Sequence, residues 1–360
     1  MLKMTLFDEL ERKETRPAFG NENSFDYFNS TGRRDVAPIR ELMESWYSLY
    51  PDAEKYEIKE RLKSDFQPTF YELGMYTYFK NQGYDLSIHP DLPRTSRHPD
   101  FLAIKEGDKF YVEIKEMRTS SDADRSKAKR MNTLTDSLNK INNTNFLLSI
   151  QKITFLNGNQ PSGKKIIAHF DKIISAVEPE PYRILMENGG YGVMPHINYE
   201  DETVYIELKL MPKAAHLRGN IGRAIGSYGS YSKIGGDEVG IRNALLQKAK
   251  RYGSLDEPFL ICLNYPSSFL DEDDVKAAVY GLDSQFSGNG FDGFFGNAEN
   301  PKNTRVSAVL ITGFTVSGLV RAKIYYYKNP FAKRAITFLP SFDLISSLGL
   351  NENYVKEFGV

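Results

Sequence analysis

A single cysteine, Cys262, stands in a chain of 360 residues. It falls in the apolar run Phe259-Leu260-Ile261-Cys262-Leu263, which excludes an internal disulfide and a cysteine-based zinc site. No apolar run approaches the roughly 20 residues that span a bilayer. The opening Met1-Leu2-Lys3-Met4-Thr5 does not lead into a signal-peptide core, so a cytoplasmic chain with no membrane partner is expected. Net charge is also missing, at −1. That argues against a bulk polyanion binder, although a locally positive groove is enough for nucleic acid. There are no internal repeats, no coiled coil and no long linker. The spacing of Gly219, Gly222 and Gly226 matches neither a P-loop nor a dinucleotide fingerprint, which disfavours nucleotide hydrolysis and NAD binding.

At 41% hydrophobic and 26% charged residues, the chain has the balance of a globular protein with a sizeable core. Its most informative stretch runs from Phe70 to Lys115. Two apolar runs, His98-Pro99-Asp100-Phe101-Leu102-Ala103-Ile104 and Lys109-Phe110-Tyr111-Val112-Glu113-Ile114-Lys115, flank the polar turn Lys105-Glu106-Gly107-Asp108, and this pattern predicts a hairpin. In the second strand Tyr111, Glu113 and Lys115 share one face, and Phe110, Val112 and Ile114 the other. A carboxylate and an ammonium thus project together from a strand made for burial. Asp100, directly after Pro99, supplies a second carboxylate at the same end of the hairpin. Burying such charges costs several kcal/mol unless they are paired or bind a metal.

Upstream, residues 67–83 predict a helix, with Pro68 in its first turn and Gly83 at its C-cap. Apolar residues lie nearly all the way round, so the helix is expected to be buried. Glu72 shares a face with Met75, Tyr76 and Phe79, an odd place for a lone acid.

In this order, the acid-bearing helix, a strand from Tyr84 to His89, the Pro99-Asp100 strand and the Glu113-Ile114-Lys115 strand resemble the PD-(D/E)XK nuclease superfamily. The resemblance covers about fifty residues tightly and the rest of the chain loosely. It implies an α/β fold: a restriction-endonuclease-like mixed sheet flanked by helices, with an N-terminal helical extension and an inserted or appended α+β region. It also implies a metal-dependent DNA endonuclease acting in restriction, anti-phage defence or repair. Asp100 and Glu113 would ligate Mg²⁺, with Mn²⁺ as a substitute, and Glu72 would bind a second metal or orient a water. Lys115 would orient or help deprotonate the attacking water. RNA stays open as a substrate, as do a homodimer and a defence-system partner subunit. The alternative is a catalytically inactive nuclease-fold protein that binds nucleic acid or a partner. Each residue also has a plain structural reading: Glu113 with Lys115 as an ion pair, Asp100 as a turn cap, Glu72 bonded to a tyrosine hydroxyl. His98 reads as a loop histidine.

Four regions are expected: an arm and helical extension over 1–65, a nuclease core over 66–150, an insertion over 151–236, and remaining core elements with C-terminal strands over 237–360. Residues 1–30 read as a loosely docked arm. Asp35 is a plausible cap for a helix through Val36, Ile39, Leu42, Met43, Trp46 and Leu49, in which Trp46 reads as core packing. Arg118, Arg125, Lys127, Lys129 and Arg130 would flank the site mouth and contact phosphates as a group, although each alone reads as a solvated face. The basic, glycine-rich stretch from Leu208 to Gly236, with Arg218 and Arg223, reads as a nucleic-acid-contacting or lid loop, or else as a plain linker. The segment from Gly288 to Gly296 reads as a loop over the site. A second triplet, Glu207-Leu208-Lys209, lacks both a preceding Pro-Asp and an acid-bearing helix, so the first is preferred. The helix from Asp237 to Tyr252 and the strand from Pro258 to Asn264 fit the second core helix and fourth core strand, with Gln247 and Lys248 facing the site. A competing parse gives those roles to the helix after Arg130 and the strand Phe146 to Ile150.

Overall fold

The computed structural model describes residues 4–93, 95–117, 122–228, 237–266, 270–282 and 291–359. Four helices come first: α1 (Ser24–Ser30), α2 (Ala37–Leu49), α3 (Lys55–Ser64) and α4 (Phe66–Asn81). A meander follows, β1 (Asp85–Ile88), β2 (Phe101–Lys105) and β3 (Asp108–Glu116). Next are α5 (Asp122–Leu138), β4 (Phe146–Phe155), α6 (Gly163–Ser175), α7 (Pro179–Gly189), β5 (His196–Glu200), β6 (Val204–Pro212) and β7 (Ile225–Tyr228). The chain continues with α8 (Asp237–Ala249), β8 (Phe259–Asn264), α9 (Glu272–Tyr280) and the short pair β9 (Gly281–Leu282) and β10 (Phe291–Asp292). It closes with β11 (Ala308–Thr312), β12 (Ile324–Lys328), α10 (Leu344–Leu348) and α11 (Glu352–Phe358).

These elements form two compact units: residues 1–17, 23–119 and 234–360 make the first, and 18–22 with 120–233 the second. The divide differs from the expected one at 150 and 236. Residue 150 falls inside β4, which pairs with β6 and β7 and so belongs wholly to the second unit. The competing parse of the core is thereby excluded, because the strand beside β3 is β8.

The first unit is α/β, built on a six-stranded mixed sheet in the order β1-β2-β3-β8-β11-β12. The meander is antiparallel, β8 runs parallel to both β3 and β11, and β12 is antiparallel to β11. Strand β8 is buried along its whole length, as a strand covered on both faces must be. Phe110, Val112, Leu260, Cys262 and Leu310 pack into the core that holds α4. Tyr111, Phe259, Ile261, Leu263 and Val309 pack on the opposite side with α8 and α9. This is the period-of-two alternation expected of a sheet with helices on both faces. Helix α4 is buried from Thr69 through Phe79, in keeping with its all-round apolar sequence. The β2–β3 turn has Glu106 and Gly107 at φ 48° and 91°, the left-handed pair that a two-residue hairpin needs.

Two local expectations are corrected. The segment 1–30 is docked within the first unit over residues 4–17 and 23–30: Leu6, Phe7, Phe25 and Tyr27 are buried, Phe7 stacks on Phe25, and the Glu44 carboxylate accepts the Leu6 and Phe7 N–H groups. Its sparse apolar residues escaped a periodicity search because they act singly. Asp35 does not cap α2; Val36 takes that position without a side-chain bond, and Asp35 pairs with Arg33 instead. Trp46 lies in the core as expected, donating its indole N–H to the Leu348 carbonyl at 2.6 Å.

The second unit has a four-stranded sheet in the order β5-β6-β4-β7, with a register shift between Ile150 and Lys152. Leu134, Leu148, Ile166, Phe170, Ile206 and Leu208 join this sheet to α5 and α6.

Candidate functional site

The site forms where α4, the β2–β3 hairpin and α8 meet. Register places Phe101 opposite Val112, so Asp100, one residue before β2, comes up to Glu113 across the hairpin. The Ile114 N–H donates to Asp100 Oδ2 at 2.6 Å, which fixes this carboxylate at the strand end. Glu72 reaches the same region from the buried helix. A cavity of about 250 Å³ is lined by Arg61, Glu72, Asp100, Lys115, Glu116 and Lys248, among others.

Each acid is held differently. Glu72 is 3% exposed and receives a bidentate grip from Arg61, with Nη1 at 3.0 Å from Oε1 and Nη2 on Oε2. The Tyr50 hydroxyl adds a long contact to Oε1 at 3.4 Å, so the tyrosine reading of Glu72 is met alongside a stronger guanidinium partner. Glu113, fully buried, takes Lys248 Nζ on Oε1, with Arg251 Nη1 at 3.4 Å, and Tyr252 on Oε2. The Tyr252 hydroxyl also lies 2.9 Å from the His98 carbonyl, so its one proton serves one acceptor at a time. Burial first, and the Glu113 charge next, raise the Tyr252 pKa and keep that hydroxyl protonated.

Among the described residues, Asp100 is in no ion pair. Burial, followed by the charges of Glu113 and Glu72, pushes its carboxyl up to about 8; the Ile114 N–H and Lys248 offset only part of this. Three carboxylates therefore share one electrostatic environment, and Asp100 bears the cost. Among the described residues, no group of three or more His, Cys, Asp or Glu side chains is arranged to hold a metal ion. Arg61 and Lys248 engage the carboxylates of Glu72 and Glu113.

The sequence pointed to Lys248 as one of two residues on α8 facing the site, and its ammonium reaches Glu113. It missed Arg61, Arg251 and Tyr252, whose roles depend on how α3 and the end of α8 fold back, which strand periodicity does not encode. His98 stays in its loop, with Nδ1 3.3 Å from the Pro90 carbonyl.

The other basic residues are placed elsewhere. Arg118 lies outside the described residues, as do Lys233 and residues 288–290 of the glycine-phenylalanine segment, and the Arg125 side chain is likewise not described. Lys127 and Lys129 are exposed on α5 in the second unit. Arg130 stacks 4.6 Å from the Phe155 ring and donates to the Asn157 carbonyl. Arg218 is tied to the Lys213 carbonyl and to Glu180, and Arg223 to the Ala18 carbonyl, so these two brace their own unit. In the second triplet, Glu207 pairs with His196, and Lys209 donates to the Tyr191 and Gly192 carbonyls.

Removing the guanidinium, as in Arg61→Met, is expected to leave the Glu72 carboxylate buried against one weak partner. Breaking a buried pair costs about 3–5 kcal/mol, and the partly open Arg61 side chain reduces this to roughly 1–3 kcal/mol. Urea denaturation would show the loss, and adding Glu72→Gln should recover part of it.

No family model, curated protein or solved structure matches the chain.

Proposed function

We propose that the chain is a metal-dependent nuclease of the restriction-endonuclease-like class that hydrolyses DNA phosphodiester bonds. The observation that carries this reading is the meeting of Glu72, Asp100 and Lys115 at one cavity, with the buried Glu113 beside Asp100, whose proton affinity burial and then the Glu113 charge raise. The helix, three-strand meander, helix and parallel strand around it follow the order that the motif resemblance implies.

As placed, the three carboxylates do not surround a common ion position, but a hard divalent cation would relieve their mutual repulsion, and Asp100 and Glu113 would hold it with Glu72 behind them once their side chains rearranged. Mg²⁺ bound there would supply Lewis-acid polarisation of the phosphoryl group and an activated water. Lys115, on the cavity wall, would orient an attacking water and stabilise charge developing on the phosphate oxygens. Lys248 and Arg61 line the same cavity and offset the charge of an entering phosphate. For Glu113 to serve as a ligand, its Oε1 must exchange Lys248 for the metal.

That exchange is also what favours the second reading, a nuclease-fold protein that binds without cutting, since Arg61 and Lys248 already neutralise two of the three acids. Supercoiled DNA incubated with Mg²⁺ or Mn²⁺ separates the two. Cleavage is expected with metal, none with EDTA, and a loss of more than about 10²-fold in Lys115→Ala. DNA bound by the protein yet intact with either metal would establish the binding reading instead.

A further inference from the structure

The loop that follows α8, Gly253-Ser254-Leu255, separates two cavities of the first unit that share residues. The larger, about 340 Å³, is lined by Arg305, Lys333 and Arg334 together with Ser254 and Glu257. The smaller, about 220 Å³, shares Ser254 and Arg334 and is also lined by Tyr252, the residue whose hydroxyl meets Glu113. Arg97 stands nearby, donating to the Arg251 carbonyl at 3.3 Å, and Arg251 in turn faces Glu113. One buried side chain, Tyr252, thus stands between the smaller cavity and Glu113 at the back of the candidate site.

Their charge is strongly one-sided. Glu257, the acid of the larger cavity, faces Lys109 at 3.2 Å, and Asp256 in the smaller one accepts the Tyr111 hydroxyl at 3.0 Å. The cations are not offset in this way. Arg305 is fixed by a bond to the Gly253 carbonyl and Arg334 by one to the Leu255 carbonyl, both at 3.0 Å. Each guanidinium has five N–H donors, so most remain for a ligand. Among the described residues the Lys333 ammonium has no hydrogen-bond or ion-pair partner. Two positioned guanidinium groups and a mobile ammonium around one cavity match the oxygens of a phosphate better than those of a single carboxylate.

We infer that Arg305, Lys333 and Arg334 form a subsite for a backbone phosphate of the nucleic-acid strand whose scissile bond lies at the cavity of Glu72, Asp100 and Lys115. The identity of the strand rests on the nuclease reading; the phosphate chemistry rests on the cavity. The short separation from the candidate site, one side chain thick at Tyr252, favours a phosphate within a strand over a free ion.

The test uses the full chain in EDTA, so that nothing is cut, with fluorescence anisotropy of labelled single-stranded and duplex oligonucleotides. Lys333→Gln and Arg334→Gln are each expected to weaken binding several-fold and to lower the slope of log affinity against log salt by about 0.7–0.9. Lys333→Arg should restore both. Because the Lys333 side chain is exposed and, among the described residues, makes no hydrogen bond or ion pair, its glutamine variant should melt as the parent does, which keeps the result interpretable. Unchanged affinity and slope in both variants would overturn the subsite. Calorimetric binding of inorganic phosphate that vanishes in the variants while oligonucleotide affinity stays at the parental value would overturn its assignment to a strand. Metal-dependent cleavage is scored separately: binding that falls in the variants of a chain that never cuts supports the subsite and removes only the nuclease reading.

Discussion

Glu113→Gln is expected to abolish metal-dependent cleavage in a protein that still folds, whereas Glu113→Ala should lose cleavage and several kcal/mol of stability together. The carboxylate is completely buried, and Lys248, Arg251 and Tyr252 all converge on it. Alanine leaves a nearly buried ammonium without its carboxylate while the Tyr252 hydroxyl keeps the His98 carbonyl, and stranding one half of a buried ion pair costs about 3–5 kcal/mol. Glutamine keeps one carbonyl acceptor and the side-chain volume but gives up the charge, so a loss of roughly 1–3 kcal/mol follows. Both remove a hard anionic oxygen from the candidate metal site. Changes one step away from a metal commonly cost about 10–100-fold, and losing a ligand should exceed the upper end of that range. Urea titration followed by the fluorescence of the buried Trp46 measures the stability side, and plasmid cleavage the activity side. If Glu113→Gln cut DNA at the parental rate, the acid would be a structural anchor for α8 and its place in the candidate metal site would fall.

Much of this site was legible because its scaffold is local. The hairpin from Phe101 to Glu116 announces its turn and its alternation, and the structure reproduces that register around Glu106 and Gly107. Helix α4 was readable from its length, Pro68 and the apolar residues on every side. The second core helix and strand were found as elements, but their placement beside β3 was one of two parses. A strand buried on both faces looks alike whichever sheet receives it. Only the parallel pairing of Glu113 with Ile261 decides the matter.

The electrostatics were less legible. Lone charged residues such as Arg61 and Arg251 carry no periodic signal, and their partners are 11 and 138 residues away in sequence. The same holds for the cluster of Arg305, Lys333 and Arg334 beside Gly253. The runs rich in Lys and Arg drew attention on the page, yet Arg130, Arg218 and Arg223 are engaged with groups of their own unit. Local charge density in sequence is a poor guide to the surfaces that remain available for phosphate.

The Asp100 carboxyl predicts an unusual pH dependence of the metal-free protein. Its pKa rises from an ordinary 3.8 to about 8 because burial and the Glu113 and Glu72 charges oppose ionisation. Between those values the folded chain keeps a proton that the unfolded chain has released, so folding is coupled to proton uptake. The stability contribution is therefore fully present below about pH 4 and is lost as pH rises to about 8, at up to about 1.4 kcal/mol per pH unit. Asp100→Asn, uncharged throughout, should flatten this slope and be the more stable chain at pH 8 in EDTA, as thermal melts across the window would show. Added Mg²⁺ should stabilise the parent at pH 8 by mass action, with little gain near pH 5, where the proton competes for the same oxygen. The asparagine variant should respond weakly at either pH. Parental stability that instead climbs across the window in parallel with Asp100→Asn would mean that the three acids do not share a field, and with it the physical reason for a divalent cation at this cavity would disappear.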